Sequence, residues 1–188
     1  MINKELKDFI IVIKQAMYTD LCEDIIAEYK DCNEWIAGID QADVTNPTGK
    51  YRNCQMICTT PTSIRNNHKR IELDNRMFEV ISRCIKVYRM SNPTCKIVKD
   101  TGYDLLKYEP GGYYVTHTDS CIDFPREVSC SVLLNDNFVG GEFSFFNKSL
   151  SYKLSQGDVI MFPANFMFPH EVTEVLDGTR LSMVTWFR

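Results

Sequence analysis

Histidine is scarce in this 188-residue chain: only His68, His117 and His170 occur. Any site built on imidazoles must therefore draw on those three. A basic excess is missing too. The 21 Lys and Arg stand against 25 Asp and Glu, a net charge of −4, which leaves no electrostatic footprint for nucleic acid. Long apolar runs are absent; Phe9 to Ile13, near the start, runs straight into Lys14. That is too short for a bilayer span and lacks the features of a signal peptide. None of the eight cysteines, at 22, 32, 54, 58, 84, 95, 121 and 130, forms a Cys-x-x-Cys pair. Cys54 and Cys58 have no second ligand pair at a zinc-site spacing. The expectation is a cytoplasmic protein with reduced thiols, several of them buried, and with neither nucleic acid nor membrane as partner.

What is present suits one domain over residues 1–188: 44% apolar residues are enough for a sizeable core. Asp8 to Ala16 reads as a strand, although its apolar run also fits a helix. Asp20-Leu-Cys-Glu23 resembles a capping box ahead of a helix with Cys22, Ile25, Ile26 and Tyr29 on one face. Asp43 to Arg52, with Asn-Pro and Thr-Gly, reads as loop. Leu73, Met77, Val80, Ile81, Cys84 and Tyr88 make a second helix face, ended by Asn92-Pro93. After about residue 100 the period changes. Short apolar runs alternate with turn signals such as Gly111-Gly112, Gly140-Gly141, Gly157-Asp158 and Asp177-Gly178. The runs are Tyr113–Thr118, Val128–Leu134, Glu142–Phe146, Asp158–Phe162, Glu171–Leu176 and Thr179–Phe187. The expected fold is mainly β with flanking helices: a two-sheet jelly-roll over 101–188, supported by helices and strands from 1–100.

In Tyr108-EPGGYYVTHT-Asp119 a histidine stands two residues before an aspartate. At strand spacing His117 and Asp119 project together and offer two adjacent corners of a metal's coordination sphere. A third ligand must come from elsewhere. His68 lies among Arg65, Lys69 and Arg70 and reads as solvent-exposed or partner-facing. His170 opens an alternating strand and is the better candidate. Two histidines and one carboxylate leave open positions, which suits Fe(II) that binds an organic ligand and dioxygen. Arg180 and Ser182, on one face of an otherwise apolar strand, make a receptor for a carboxylate.

Jointly, these residues resemble the Fe(II)- and 2-oxoglutarate-dependent dioxygenases, prolyl-hydroxylase branch. Tyr108, Gly111-Gly112, Tyr114, His117 and Asp119 have that family's spacing. Gly140-Gly141-Glu-Phe-Ser-Phe, Gly157-Asp-Val-Ile-Met-Phe-Pro163, His170 and Gly178-Thr-Arg-Leu-Ser182 with Trp186 look like its later strands. The likeness covers roughly residues 100 to 188. It implies a double-stranded β-helix, with Fe(II) on His117, Asp119 and His170, which thereby form the catalytic centre. It implies 2-oxoglutarate on Arg180, Tyr108 and Ser182, and dioxygen as oxidant, with ascorbate as reductant. It places Tyr114, Arg126 and Trp186 at the substrate entrance. The implied reaction hydroxylates a C–H bond, of a prolyl or other residue in a protein or peptide or of a small molecule, and releases succinate and carbon dioxide. Arg180, where collagen-type members have Lys, departs from a collagen-like substrate. Val115, Val132, Leu134, Phe143, Phe145 and Met161 are expected to wall the site. Two other readings stay open: a cupin-like metal protein that uses no keto acid, and a non-enzymatic binding module that keeps the fold.

Overall fold

The computed structural model describes residues 4–38 and 51–188. In chain order its elements begin with a 3-10 turn, Leu6–Phe9, and β1, Ile11–Ile13. Helix α1, Thr19–Tyr29, precedes β2, Ile36–Ala37, β3, Arg52–Asn53, and β4, Gln55–Thr59. Then come the short α2, Pro61–Ile64, and the long α3, His68–Ser91. The remaining strands are β5 (Tyr103–Tyr108), β6 (Tyr113–His117), β7 (Val128–Leu133), β8 (Val139–Gly140) and β9 (Phe143–Phe145). They continue as β10 (Leu150–Tyr152), β11 (Val159–Pro163), β12 (His170–Val172), β13 (Val175–Asp177) and β14 (Arg180–Phe187).

These strands build a seven-stranded sheet in the order β1-β11-β7-β14-β5-β4-β2 and a five-stranded sheet in the order β10-β9-β12-β6-β3. β13 and β8 form a separate pair. Pairing among the named strands is antiparallel throughout. The result is the expected double-stranded β-helix with supporting helices.

Alternation along the strands of the large sheet divides its side chains between two cores. Leu181, Met183 and Phe187 of β14 and Val128, Cys130 and Val132 of β7 pack with Leu21, Ile25, Met77, Ile81 and Tyr88 of the helices. Leu106 and Tyr108 of β5, Leu133 of β7 and Ile160 and Phe162 of β11 turn the other way, toward Phe143, Phe145 and Val172 of the small sheet. Both helices thus lie on the outer face of the large sheet, and the inner face is free to line a site between the sheets.

Helix α3 carries the expected apolar face, with Leu73, Met77, Val80, Ile81, Cys84 and Tyr88 buried. Asn67 caps its start by accepting from Arg70 N at 3.1 Å. Asn92 closes its end, its backbone N–H donating to the Tyr88 carbonyl at 2.9 Å, and Pro93 follows. All eight cysteines stand unpaired. No described helix is long and apolar enough to cross a membrane.

Several expectations are corrected. The run from Asp8 to Ala16 is strand only over Ile11–Ile13, because the Asp8 carboxylate accepts from Glu5 N at 2.9 Å and closes a 3-10 turn first. Asp20 does not cap α1. The cap position is Tyr18 without a side-chain bond, and Asp20 lies inside the first turn, where it accepts from Arg76 at 3.0 Å. Of the loop expected over Asp43 to Arg52, residues 43–50 lie outside the described residues, and Arg52 begins β3 instead. The single strand expected over Glu171–Leu176 is two, β12 and β13, in different sheets. Between them the Thr173 amide donates to the Glu142 carbonyl at 3.0 Å and leaves the ladder. Strand β5, central in the large sheet, was absent from the expected list.

Candidate active site

Between the sheets lies a cavity of about 300 Å³. His117, Asp119 and His170 meet on its wall, each offering one ligand atom, with all three atoms within 4.8 Å of one another. The ladder brings them together: His170 of β12 pairs directly with His117 of β6. His68 is exposed at the start of α3 and takes no part.

Backbone carbonyls orient both imidazoles. His117 Nδ1–H donates to the Val115 carbonyl at 2.8 Å, and His170 Nδ1–H donates to the Phe168 carbonyl at 3.1 Å. A carbonyl only accepts, so the proton sits on Nδ1 and each Nε2 presents a lone pair. Those Nε2 atoms lie 3.5 Å and 3.4 Å from the Asp119 carboxylate oxygens. Burial lowers His170 to about 4, against the pull of Asp119, so its ring is neutral near pH 7. Burial pushes Asp119 up, yet His170 and His117, which attract it when their rings are protonated, and the Ser129 hydroxyl outweigh it and hold its carboxyl well below the usual range. Two ring lone pairs and an ionised carboxylate facing one another repel unless a cation lies between them. This donor set fits a divalent metal with nitrogen and oxygen ligands and open positions. The ordered neighbours complete it: Ser129 Oγ donates to Asp119 Oδ2 at 2.6 Å, and Arg126 donates to the Asp119 carbonyl at 2.9 Å.

Arg180 occupies the same cavity and is 1% exposed. Its Nε donates to the Gly141 carbonyl at 2.9 Å and its Nη1 to Ser182 Oγ at 2.8 Å. Both acceptors are neutral, and among the described residues no carboxylate pairs with it. An uncompensated buried guanidinium is costly, which fits a site that receives an anion such as a dicarboxylate. Gly141 makes room for it. Its φ is +62, and a Cβ there would come within 2.8 Å of Arg180 Cδ.

The other expected residues also reach the cavity. Tyr108 is buried under the Arg180 guanidinium, 5.3 Å from ring centroid to Cζ, and burial raises its hydroxyl to about 12. Arg52 and Arg180 beside it act the other way. Tyr114 stacks on the His117 ring, centroids 3.5 Å apart. Strand alternation would put residues three apart on opposite faces. A register shift in β6, where Tyr114 and His117 oppose Val172 and His170, cancels that. Arg126 covers the Trp186 ring at 3.6 Å. Trp186 and Val184 continue the inward face of β14 begun by Arg180 and Ser182.

Of the expected apolar walls, Phe143 lines the cavity. Phe145 packs behind it, 5.7 Å from the His170 ring centroid. Val132, Leu134 and Met161 face the helices, on the other side of the large sheet. Val115 supplies its carbonyl to His117 and does not line the cavity. Three further contributors lie outside the sequence expectations. Ser129 and Ser131 line the cavity on apolar β7, and serines two apart in Val128-Ser-Cys-Ser-Val were a legible sign of a polar site on one face. Arg52, beside Cys54, had no such sign.

Two imidazoles, a carboxylate and a buried arginine thus share the inner wall of a double-stranded β-helix. Residues 103–188 match the family model of the 2OG-Fe(II) oxygenase superfamily. A PKHD-type hydroxylase of Crocosphaera subtropica is 35% identical over 89 residues, covering 43% of this chain and 39% of the relative. Another, from Hyphomonas neptunium, is 36% identical over 92 residues, covering 43% and 40%. The matches thus span about two fifths of these curated relatives. Among solved structures, a Pseudomonas putida prolyl-4-hydroxylase superposes with a TM-score of 0.71 at 20% identity, covering 96% of this chain and 92% of that one. A Trichoplax adhaerens prolyl hydroxylase, in complex with a hypoxia inducible factor oxygen degradation domain peptide fragment, gives 0.74 at 15% identity, covering 96% and 83%. At such identities these two likenesses speak for the fold.

Proposed function

We propose that this chain is an Fe(II)- and 2-oxoglutarate-dependent hydroxylase of the prolyl 4-hydroxylase type. The observation that carries it is the pairing, in one cavity, of a two-His, one-Asp cluster with a buried arginine that has no carboxylate partner among the described residues. His117, Asp119 and His170 hold the metal. Arg180 and Ser182 take the distal carboxylate of 2-oxoglutarate, with the Tyr108 ring beneath them. Bound Fe(II) supplies the activation of dioxygen that couples decarboxylation of 2-oxoglutarate, to succinate and carbon dioxide, with hydroxylation of a C–H bond.

The protein's own part is placement. Carbonyl-locked imidazoles keep their lone pairs on the metal, and Ser129 holds Asp119 in register. Phe143 and Phe162 keep one wall of the cavity apolar and limit water. A cavity of about 300 Å³ lies at the small end of ligand pockets, roughly 300–1,000 Å³. With the cosubstrate inside, it has space for one side chain or a small molecule. The substrate we infer is a prolyl or other residue of a protein or peptide, entering past Tyr114, Arg126 and Trp186; a free small molecule is the second reading.

The test is incubation of the protein with Fe(II), ascorbate, dioxygen and 2-oxoglutarate, with succinate measured by chromatography. Candidate peptides are then searched for a gain of roughly one oxygen atom, about 16 Da. Succinate that requires both iron and 2-oxoglutarate supports the reading. Metal binding that is indifferent to 2-oxoglutarate would instead indicate a cupin-like protein, and no metal binding a non-enzymatic module.

A further inference from the structure

The cavity wall carries three guanidiniums, of Arg52, Arg126 and Arg180, and two carboxylates, of Asp104 and Asp119. A divalent metal and doubly charged 2-oxoglutarate would cancel each other, so the loaded cavity keeps one positive charge in excess. Arg180 is committed to the cosubstrate on the reading proposed above, on which this inference rests. Arg126 stacks on Trp186, donates to the Asp119 carbonyl, and feels Asp119; it shares the field of Asp104 with Arg52.

Arg52 is left. It is partly buried on β3 at the edge of the small sheet, and its Nε donates to Cys54 Sγ at 3.0 Å. Its guanidinium lies over the Tyr114 ring at 4.5 Å, and that ring stacks on metal-cluster residue His117. It also lies near the Tyr108 hydroxyl and opposes the rise that burial causes there. Burial pushes both the Cys54 thiol and the Tyr108 phenol up, so neither carries a compensating charge near neutral pH. Among the described residues no carboxylate forms an ion pair with it. A guanidinium in a concave site, with a thiol and a phenol on one side, is a fork with donors left for a planar anion.

We propose that Arg52 is a specificity-determining residue that receives a carboxylate of the substrate, so that the molecule hydroxylated here carries an acidic group beside the reacting carbon. The carboxylate comes either from a free imino acid or from an acidic side chain in a peptide. The two sources share the chemistry and differ in what surrounds it.

The experiment uses the full chain loaded with redox-silent Mn(II) and saturating 2-oxoglutarate, as wild type, Arg52→Gln and Arg52→Lys. Calorimetry measures four probes: N-acetyl-proline, its methylamide, the blocked tetrapeptide Ala-Glu-Pro-Ala, and its Ala-Gln-Pro-Ala counterpart. In wild type at least one acid should bind about tenfold or more tighter than its neutral partner. Arg52→Gln should abolish that preference and Arg52→Lys restore part of it, while both variants bind 2-oxoglutarate as wild type does, which also shows that they fold. The acid that responds identifies the source. Absence of binding by all four probes, equal affinity for acid and neutral partner, or a preference that survives Arg52→Gln would each overturn the proposal. Loss of 2-oxoglutarate binding in Arg52→Gln would also overturn it, by assigning Arg52 to the cosubstrate. Failure of the wild type to bind 2-oxoglutarate at all would sink the functional reading itself, a result distinct from these.

Discussion

His170 lies directly across the β12–β6 ladder from His117, and their ring centroids are 4.3 Å apart. Each ring is turned by a bond from Nδ1 to the carbonyl two residues before it, Val115 for one and Phe168 for the other. The same local device, used on two neighbouring strands, aims both Nε2 atoms at Asp119. A metal site of this kind depends on the groups behind its ligands as much as on the ligands.

Ser129→Ala tests that dependence. It removes the 2.6 Å bond to Asp119 Oδ2 without touching a ligand. Mn(II) affinity by calorimetry should fall by about 10- to 100-fold, with the fold retained by circular dichroism.

Arg180→Ala separates the cosubstrate from the metal. The 2-oxoglutarate affinity should drop about 30-fold or more, since losing one partner of a buried charge pair costs roughly 2–5 kcal/mol. Mn(II) affinity should stay within a few-fold, because Arg180 bonds only to Gly141 and Ser182 among the described residues. Loss of metal with 2-oxoglutarate retained would reverse the assignment.

Gly141→Ala reaches the same guanidinium through the backbone. At φ +62 an added Cβ meets Arg180 Cδ at 2.8 Å and Phe138 at 3.1 Å. The left-handed conformation alone costs about 1–2 kcal/mol. A lower melting temperature and weaker 2-oxoglutarate binding, with Mn(II) binding kept, are the expected results.

Metal removal should loosen the fold. With Mn(II) at about 100 times its Kd, mass action adds roughly 2.7 kcal/mol to stability. For a chain of this size that corresponds to a melting temperature about 5–10 °C higher than in EDTA. His170→Ala should erase the difference in a thermal scan.

Asp158 gives a pH signature away from the site. Its buried carboxylate accepts from Lys14 Nζ at 2.7 Å, Ser155 N at 2.8 Å and Gln15 N at 3.0 Å, and pins β1 beside β11. Burial raises its pKa, but Lys14 and the two amides outweigh that and lower it below its ordinary value. Stability from a depressed carboxyl is present above the unfolded value, about 3.9, and is lost as pH falls through the folded one. Asp158→Asn should therefore cost about 1–3 kcal/mol at pH 7 in urea titrations, and the gap to wild type should narrow below about pH 4. A gap that widened in acid would refute this.

The apolar pattern of α3 was readable because burial on one helical face repeats every three to four residues, and each of its six expected core positions is buried. The late strands were readable for the same reason at period two. Strand β5 escaped because its buried positions, Tyr103, Leu105, Leu106 and Tyr108, do not alternate strictly. Asp20 misled because a capping pattern is local, whereas its carboxylate is claimed by Arg76 on another helix. The wall residues were misassigned because alternation says that two faces exist without saying which meets the helices and which the second sheet.

By itself, the sequence determined the kind of fold, the identity of the three clustering residues and the presence of Arg180 on an apolar strand, since local period and residue chemistry carry that information. The tertiary structure decided the rest. It set the β6 register shift that puts Tyr114 beside His117, and the close approach of Gly141 to Arg180. It also placed Arg52 in the cavity, although Arg52 comes 65 positions before His117 in the chain. Such relations arise from which strands pair and which faces pack together, and long-range pairing leaves no periodic trace in the order of residues.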